Sequence, residues 1–307
     1  MTQDTHKIFI DGEAGTTGLQ IRDRLADIPD ITVLSIDPEK RKDADARQAL
    51  MREADVSILC LPDDAAREAV VLADALGTKA PRIIDASTAH RTADGWVYGF
   101  PELVPGHAKT IANAQRVANP GCYSTGAISL LRPIMESGWI PPDFPLTINA
   151  VSGYTGGGKS MIAEFESDSA ASFFLYGLSL SHKHLPEIIT HSKLERAPIF
   201  VPSVGNFAQG MLVSIPIQLG ILATPPSLSD IQELFKAYYA ADDSAVRFVA
   251  DKPTTLPVDP AEGTDGMEIY AFGNDAEHQC VLVARLDNLG KGAAGAAVQN
   301  LKLMLAN

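Results

Sequence analysis

Lys7-Ile-Phe-Ile-Asp-Gly12-Glu-Ala-Gly15-Thr16-Thr17-Gly18 begins as a short apolar run and passes directly into three glycines at a spacing of three. The apolar run reads as a buried strand, and Leu19 to Ala26 continues as a helix. A strand that enters a helix through such a turn suits a nucleotide. The glycines let the backbone turn sharply and approach a pyrophosphate, which rests on the free N–H groups of the helix. Gly12, Gly15, Thr16, Thr17 and Gly18 are therefore the first candidate cofactor-binding residues.

Working outward, Ile31 to Ile36 reads as a second strand and completes a βαβ unit. It ends at Asp37, followed by Pro38-Glu39-Lys40-Arg41-Lys42. A carboxylate at this place takes the ribose 2′-hydroxyl of NAD, whereas basic groups accommodate the 2′-phosphate of NADP. Asp37, Lys40 and Arg41 offer both, and the three consecutive cations point to NADP(H). Val56 to Leu61 and Arg82 to Asp85 read as further strands, with a helix from Asp63 to Leu76 between them and another strand from Thr110 to Ala118. This alternation is the mark of a doubly wound parallel sheet, whose ligands bind outside the carboxyl ends of the strands. Ser87 lies on that edge.

Val117-Ala-Asn-Pro-Gly-Cys122-Tyr-Ser-Thr-Gly126 is the second decisive stretch. Pro120-Gly121 make a turn, and Ile128, Leu131, Ile134 and Met135 then recur at helical spacing up to Gly138. Cys122 is thus expected at a helix N-terminus, where the unpaired N–H groups and the dipole favour the nucleophilic thiolate. Beyond Gly138 the rhythm changes. Leu146–Val151, Ile199–Val201, Leu212–Leu219 and Gln279–Leu286 read as strands that mostly lack helical crossovers, and Ser227 to Ala241 as a helix. An α+β domain with a mixed or antiparallel sheet is expected there. The domain boundaries are read as 1–120 for the Rossmann-type dinucleotide domain, 121–285 for the catalytic and substrate domain, and 286–307 for a C-terminal helix returning to the first domain.

Two loops of the second domain carry chemistry. Ser152-Gly153-Tyr-Thr-Gly-Gly-Gly-Lys159 combines glycines, hydroxyls and a cation suited to wrapping an anion. Ser181-His182-Lys183-His184-Leu-Pro-Glu187 brings two imidazoles and an ammonium together before a helix, and histidine exchanges protons near neutral pH. The cysteines supply no ligand spacing around these histidines, so no metal is expected.

Composition narrows the remaining classes. A net charge of −13 is the wrong sign for a nucleic-acid surface. No apolar run reaches the roughly 18 residues that a membrane span needs, and the N-terminus lacks a signal core. Three dispersed cysteines suit reduced thiols in a cytoplasmic protein.

Taken together, Gly12-x-x-Gly15-x-x-Gly18, Asn119 to Gly126, Ser152 to Lys159, His182 to Glu187 and Leu286-Asp-Asn288-Leu-Gly-Lys-Gly-Ala-Ala-Gly295 resemble the N-acetyl-γ-glutamyl-phosphate reductase family, in its shorter-chain branch. The resemblance runs over nearly the whole chain. Ser124 stands where many members have proline or alanine, and Leu130 where most have a smaller residue; neither removes a reacting group. The resemblance implies NADPH-dependent reduction of an N-acetylglutamyl acyl phosphate to its semialdehyde, with release of phosphate, in arginine biosynthesis. It implies Cys122 as the nucleophile that forms a thioester, and His184 as the acid and base, with His182 as the alternative. It further implies Asn288 beside the nicotinamide and a homo-oligomer of unspecified number; Ser152, Gly153, Lys159 and Lys183 are the candidate substrate contacts. Two alternatives stay open: an aspartate-semialdehyde dehydrogenase, which shares this plan, and a non-catalytic NADP-binding sensor.

Overall fold

In the computed structural model, which describes residues 5–167, 169–251 and 253–306, the chain forms two compact units. One is Met1–Pro120 with Ala293–Asn307, the other Gly121–Gly292. The second crossing between units thus falls within the turn before the last helix, later than the 285/286 boundary drawn from the sequence.

The first unit runs β1 (His6–Asp11), α1 (Thr16–Ala26), β2 (Ile31–Leu34), α2 (Ala44–Glu53), β3 (Val56–Leu59), α3 (Asp63–Asp74), β4 (Arg82–Asp85), β5 (Val97–Tyr98), α4 (His107–Asn113) and β6 (Arg116–Ala118). Its six strands lie in the order β2-β1-β3-β4-β6-β5, every pair parallel. The order reverses about β1, so the ligand-binding crevice of such a sheet lies where β1 and β3 end. Both faces are covered, which explains the unbroken apolar runs. Ile8 and Ile10 pack with Ile21, Val117 and Leu301, while Phe9 points the other way among Met51, Leu59, Ala66 and Ile83.

Two expected elements differ. β2 stops at Leu34 rather than Ile36, because Asp37 caps a turn over Pro38–Lys40 and proline cannot extend the ladder. Thr110 to Ala118 is not one strand: α4 occupies its first part and only Arg116–Ala118 joins the sheet.

The second unit contains α5 (Cys122–Ser137), β7 (Thr147–Gly153), α6 (Gly158–Phe165), β8 (Phe173–Leu175), α7 (Leu185–Ser192), β9 (Ile199–Gly205), β10 (Met211–Gln218), α8 (Leu228–Tyr238), β11 (Val246–Phe248), β12 (Met267–Asn274) and β13 (Gln279–Leu286). The strands form a mixed sheet in the order β11-β12-β13-β10-β7-β9-β8, mostly antiparallel but with parallel β7/β9 and β11/β12 pairs. Strict alternation along β10 buries Met211, Val213, Ile215 and Ile217 on one face. α5 lies on that face. A Cβ on Gly126 would come 2.7 Å from a Val213 methyl, so the glycine permits the close approach. α8 starts at Ser227, whose hydroxyl and the Asp230 carboxylate complete a capping box. The opposite face carries Val151, Leu175, Val201, Leu212, Phe272 and Val283 around a shallow apolar depression.

The chain returns to the first unit in α9 (Gly295–Leu305), whose Ala297, Val298 and Leu301 join the β1 core. Asn300 Nδ2 donates to the Gly99 carbonyl at 2.9 Å and to Asn119 Oδ1 at 3.1 Å. Arg82 donates to the carbonyls that end α4 and α9, from Ala112, Ala114 and Met304.

Candidate active site

In the first unit the glycine turn has the shape that a pyrophosphate requires. Gly12 adopts φ +90°, and a Cβ there would meet the Cys60 carbonyl at 2.3 Å, so β1 and β3 approach closely at the reversal point. A Cβ on Gly18 would lie 2.6 Å from the Gly12 carbonyl. At Gly15 an added Cβ meets only the Gly12 carbonyl, at 3.5 Å, and no side chain caps α1. The helix therefore begins with open N–H groups at Thr16 and Thr17, a cradle that fits the phosphates of a dinucleotide. Asp37 is exposed, and its carboxylate accepts the Glu39 amide at 3.0 Å; Lys40 and Arg41 are exposed beside it. Ser87 Oγ is committed to Asp85 at 2.7 Å and also accepts the Ala89 amide. Asp85 further holds the His90 ring at 2.6 Å, a side-chain cluster that the sequence reading missed.

In the second unit Cys122 is the first residue of α5, as its turn-then-helix pattern implied. Gly121 precedes it in extended conformation, without a side-chain cap. Its amide donates to Glu187 Oε2 at 3.2 Å, and Glu187 is 1% exposed. Gly292 lies against the cysteine: a Cβ there would come 2.9 Å from Cys122 Cβ. Gly290 is equally confined, its imagined Cβ overlapping the Thr264 carbonyl. These two glycines explain the Gly-Lys-Gly spacing, which carries Lys291 into a position only 1% exposed.

His184 is buried at the N-cap of α7, with its ring 5.9 Å from Tyr123 and 4.7 Å from His182. His182 differs in character. Burial, helped by the Lys183 charge and opposed by Glu187, lowers its pKa to about 4, and its Nδ1 accepts the His184 amide at 3.1 Å. It is a neutral acceptor that shapes the start of α7. Burial also pushes the Tyr176 hydroxyl up to about 12, with the Cys122 charge adding to the effect. Burial raises Tyr123 further, with Tyr176 and then Cys122 adding to the effect, and its hydroxyl donates to the Ser203 carbonyl at 3.0 Å.

Ser152 and Gly153 end β7, and Lys159 lies exposed in the first turn of α6. Gly153 packs on the Ala208 carbonyl, where a Cβ would come within 2.4 Å. Lys183 is exposed. Asn288, 1% exposed, braces this loop: its Oδ1 accepts the Gly210 amide at 2.8 Å and its Nδ2 donates to Thr155 Oγ1 at 3.0 Å. Asp287 accepts the amides of Leu289 and Gly290 at 2.8 and 3.2 Å, organising the turn behind Cys122. Burial pushes the Cys60 and Cys280 thiols up to about 12. Among the described residues no group of three or more histidine, cysteine, aspartate or glutamate side chains could hold a metal ion, and no helix is long and apolar enough to cross a membrane.

Comparison with known proteins agrees with both halves of this description. Residues 18–111 match the semialdehyde dehydrogenase NAD binding domain, and residues 122–288 the semialdehyde dehydrogenase dimerisation domain. Among solved structures, aspartate semialdehyde dehydrogenase II of Vibrio cholerae, complexed with ASA, is similar in fold: TM-score 0.71, 16% identity, 99% of each chain covered. Aspartate semialdehyde dehydrogenase of Candida albicans, solved with NADP, has a TM-score of 0.70 at 14% identity, over 99% of this chain and all of that one. The curated N-acetyl-gamma-glutamyl-phosphate reductases of Brucella ovis and Brucella suis biovar 1 are each 52% identical, over 97% of this chain and 98% of theirs. The chain is thus a member of the N-acetyl-gamma-glutamyl-phosphate reductase family, within the semialdehyde dehydrogenases.

Proposed function

We propose that the chain reduces N-acetyl-γ-glutamyl phosphate to N-acetylglutamate 5-semialdehyde and phosphate with NADPH, a step of arginine biosynthesis in the cytoplasm, and that Cys122 carries the acyl group. The observation that supports this most is the setting of Cys122: first residue of a long helix without a side-chain cap, with the preceding amide on a buried glutamate. The helix N-terminus favours thiolate, and the thiolate attacks the acyl carbonyl. The carbon–oxygen bond to phosphate breaks, phosphate leaves with the electron pair, and a thioester remains on Cys122. Backbone donors at the start of α5 stabilise the oxyanion formed in the attack. NADPH supplies the hydride that takes the acyl group to the aldehyde level. His184 donates the proton that the carbonyl oxygen then needs, and retrieves one when the thiol is regenerated.

Gly12, Gly15, Thr16, Thr17 and Gly18 hold the pyrophosphate, with Lys40 and Arg41 adding positive charge near the adenosine end. Lys159 and Lys183 are the exposed cations nearest in sequence to the anion-wrapping turn and the histidine pair, and meet the substrate's phosphate and carboxylate, with Ser152 and Gly153 lining the turn. Asn288 orients that turn and meets the nicotinamide side of the reaction. The apolar sheet face around Leu212, Phe272 and Val283 pairs with a second copy of the chain, in keeping with the dimerisation domain that residues 122–288 match.

The test is a phosphate-dependent assay in the oxidative direction with NADP and either N-acetylglutamate semialdehyde or aspartate semialdehyde. Preference for the acetylated substrate is expected. Preference for aspartate semialdehyde overturns the assignment in favour of the enzyme whose fold is shared.

A further inference from the structure

The adenosine end of the dinucleotide site holds an arrangement that neither the glycine motif nor the basic run anticipates. Glu13, the residue after the first glycine, is almost buried: its side chain is 8% exposed. Arg22, two turns along α1, donates through Nη1 to Glu13 Oε2 at 3.0 Å. Ser35, the first residue after β2, donates through Oγ to the same oxygen at 3.3 Å. The three residues come from the glycine turn, from the helix that follows it, and from the end of the second strand. In a dinucleotide whose pyrophosphate rests on the start of that helix, the adenosine ribose lies at the end of the second strand.

A bare carboxylate at this place would accept a ribose 2′-hydroxyl and repel a 2′-phosphate. Here the carboxylate is matched by a guanidinium, which is half exposed at 49% and, among the described residues, bonds through its Nη1 edge. The planar fork of arginine has donors to spare, and its other edge suits a phosphate oxygen pair. Asp37, at the position from which such selection is ordinarily made, instead caps the turn over Pro38–Lys40.

We propose that Arg22, held in place by Glu13, reads the 2′-phosphate of NADP(H), and that Ser35 completes the contact. The proposal rests on the glycine turn being the dinucleotide site. Arg22 is then the specificity-determining cation, with Lys40 and Arg41 contributing only diffuse attraction. Removing Arg22 leaves the Glu13 carboxylate facing the phosphate, so the preference turns towards NADH.

The experiment measures dissociation constants of NADPH and NADH by the change in their fluorescence on binding to the full chain, for wild type, Arg22→Gln, Glu13→Gln/Arg22→Gln and Lys40→Gln/Arg41→Gln. Equal melting temperatures of wild type and Arg22→Gln show that the half-exposed site tolerates the change. Arg22→Gln is expected to weaken NADPH by roughly 10- to 100-fold and NADH by less than about threefold, as the loss of one charge-assisted bond to the extra phosphate requires. The Glu13→Gln/Arg22→Gln pair recovers part of the NADPH affinity, because it removes the uncompensated carboxylate. Parallel weakening of both dinucleotides, unchanged NADPH binding, or a larger effect from Lys40→Gln/Arg41→Gln overturns the proposal. If wild type binds neither dinucleotide, it is the reading of the glycine turn that fails, and the selection argument fails with it.

Discussion

The chain contains two helix starts of the same kind, one in each unit, and they are finished differently. α1 follows Gly15 and α5 follows Gly121, both extended glycines without a side-chain cap. Around α1 the start is open: Gly15 has room for a Cβ, and Thr16 and Thr17 remain partly exposed. Around α5 the neighbours crowd in, with Gly292 against Cys122, Glu187 on the Gly121 amide, and Tyr123 and His184 buried nearby, while Cys122 keeps the same partial exposure as Thr16 and Thr17. Backbone N–H groups at a helix start serve any anion. An open start suits one that arrives and departs with a ligand, and a crowded start suits one that forms on a bound atom held among fixed neighbours. The difference lies in the neighbours rather than in the helices.

The largest effect that separates the two is expected from Cys122→Ser, which lowers turnover by about a thousandfold or more while leaving NADPH affinity within a few-fold. Steady-state kinetics and fluorescence titration of the same preparation check it. His184→Asn is expected to cost about 10²- to 10⁴-fold in turnover, the usual value of a positioned acid and base, with little change in dinucleotide binding. Two glycine substitutions exchange the pattern. Gly292→Ala forces a methyl against Cys122 and is expected to slow phosphate release on the order of 100-fold without altering NADPH binding. Gly18→Ala crowds the Gly12 carbonyl and is expected to do the reverse, losing dinucleotide binding while a single round of phosphate release persists. If either glycine variant damages both functions equally at an unchanged melting temperature, the division of labour is wrong.

The smallest expected effect concerns His182. The unfolded chain binds a proton at this residue near pH 6.5, whereas the folded chain binds it only near pH 4. Stability should therefore be fully present above pH 6.5 and fall as pH drops from there towards 4. In His182→Gln this part of the loss is absent, which urea midpoints at pH 7.5 and 4.5 would reveal as a smaller difference.

Much of this is legible in the amino-acid sequence alone. The glycine turn, the position of Cys122 at a helix start and the Ser227 cap each rest on local chemistry, in which a few adjacent residues determine the backbone. α2 escapes a sequence reading because its inward face, built on Ala46, Leu50 and Met51, also takes in a cation. Beside Met51 it buries Arg47, which bonds Asp11 with Nε and Nη2 at 2.9 and 2.7 Å and so interrupts the hydrophobic period. Burial raises the Asp11 carboxyl, against the pull of that guanidinium. β12 escapes such a reading because the strand mixes Tyr270, Ala271 and Gly273 without a clear alternation. The Glu13, Arg22 and Ser35 cluster was illegible for another reason: its parts are separated in sequence and meet only once α1 and β2 are in place. Asn288 shows the same limit, since its two hydrogen bonds reach Thr155 and Gly210 far along the chain.

The central claim is that Cys122 carries the acyl group, and intact-protein mass spectrometry tests it without turnover. Wild-type protein is mixed with N-acetyl-γ-glutamyl phosphate in the absence of NADPH, and the released phosphate is counted alongside. The expected result is one N-acetylglutamyl adduct per chain, removed by hydroxylamine, mapped to the peptide containing Cys122, and matched by one equivalent of phosphate. An adduct on another residue, or the same phosphate burst from Cys122→Ser, would contradict it.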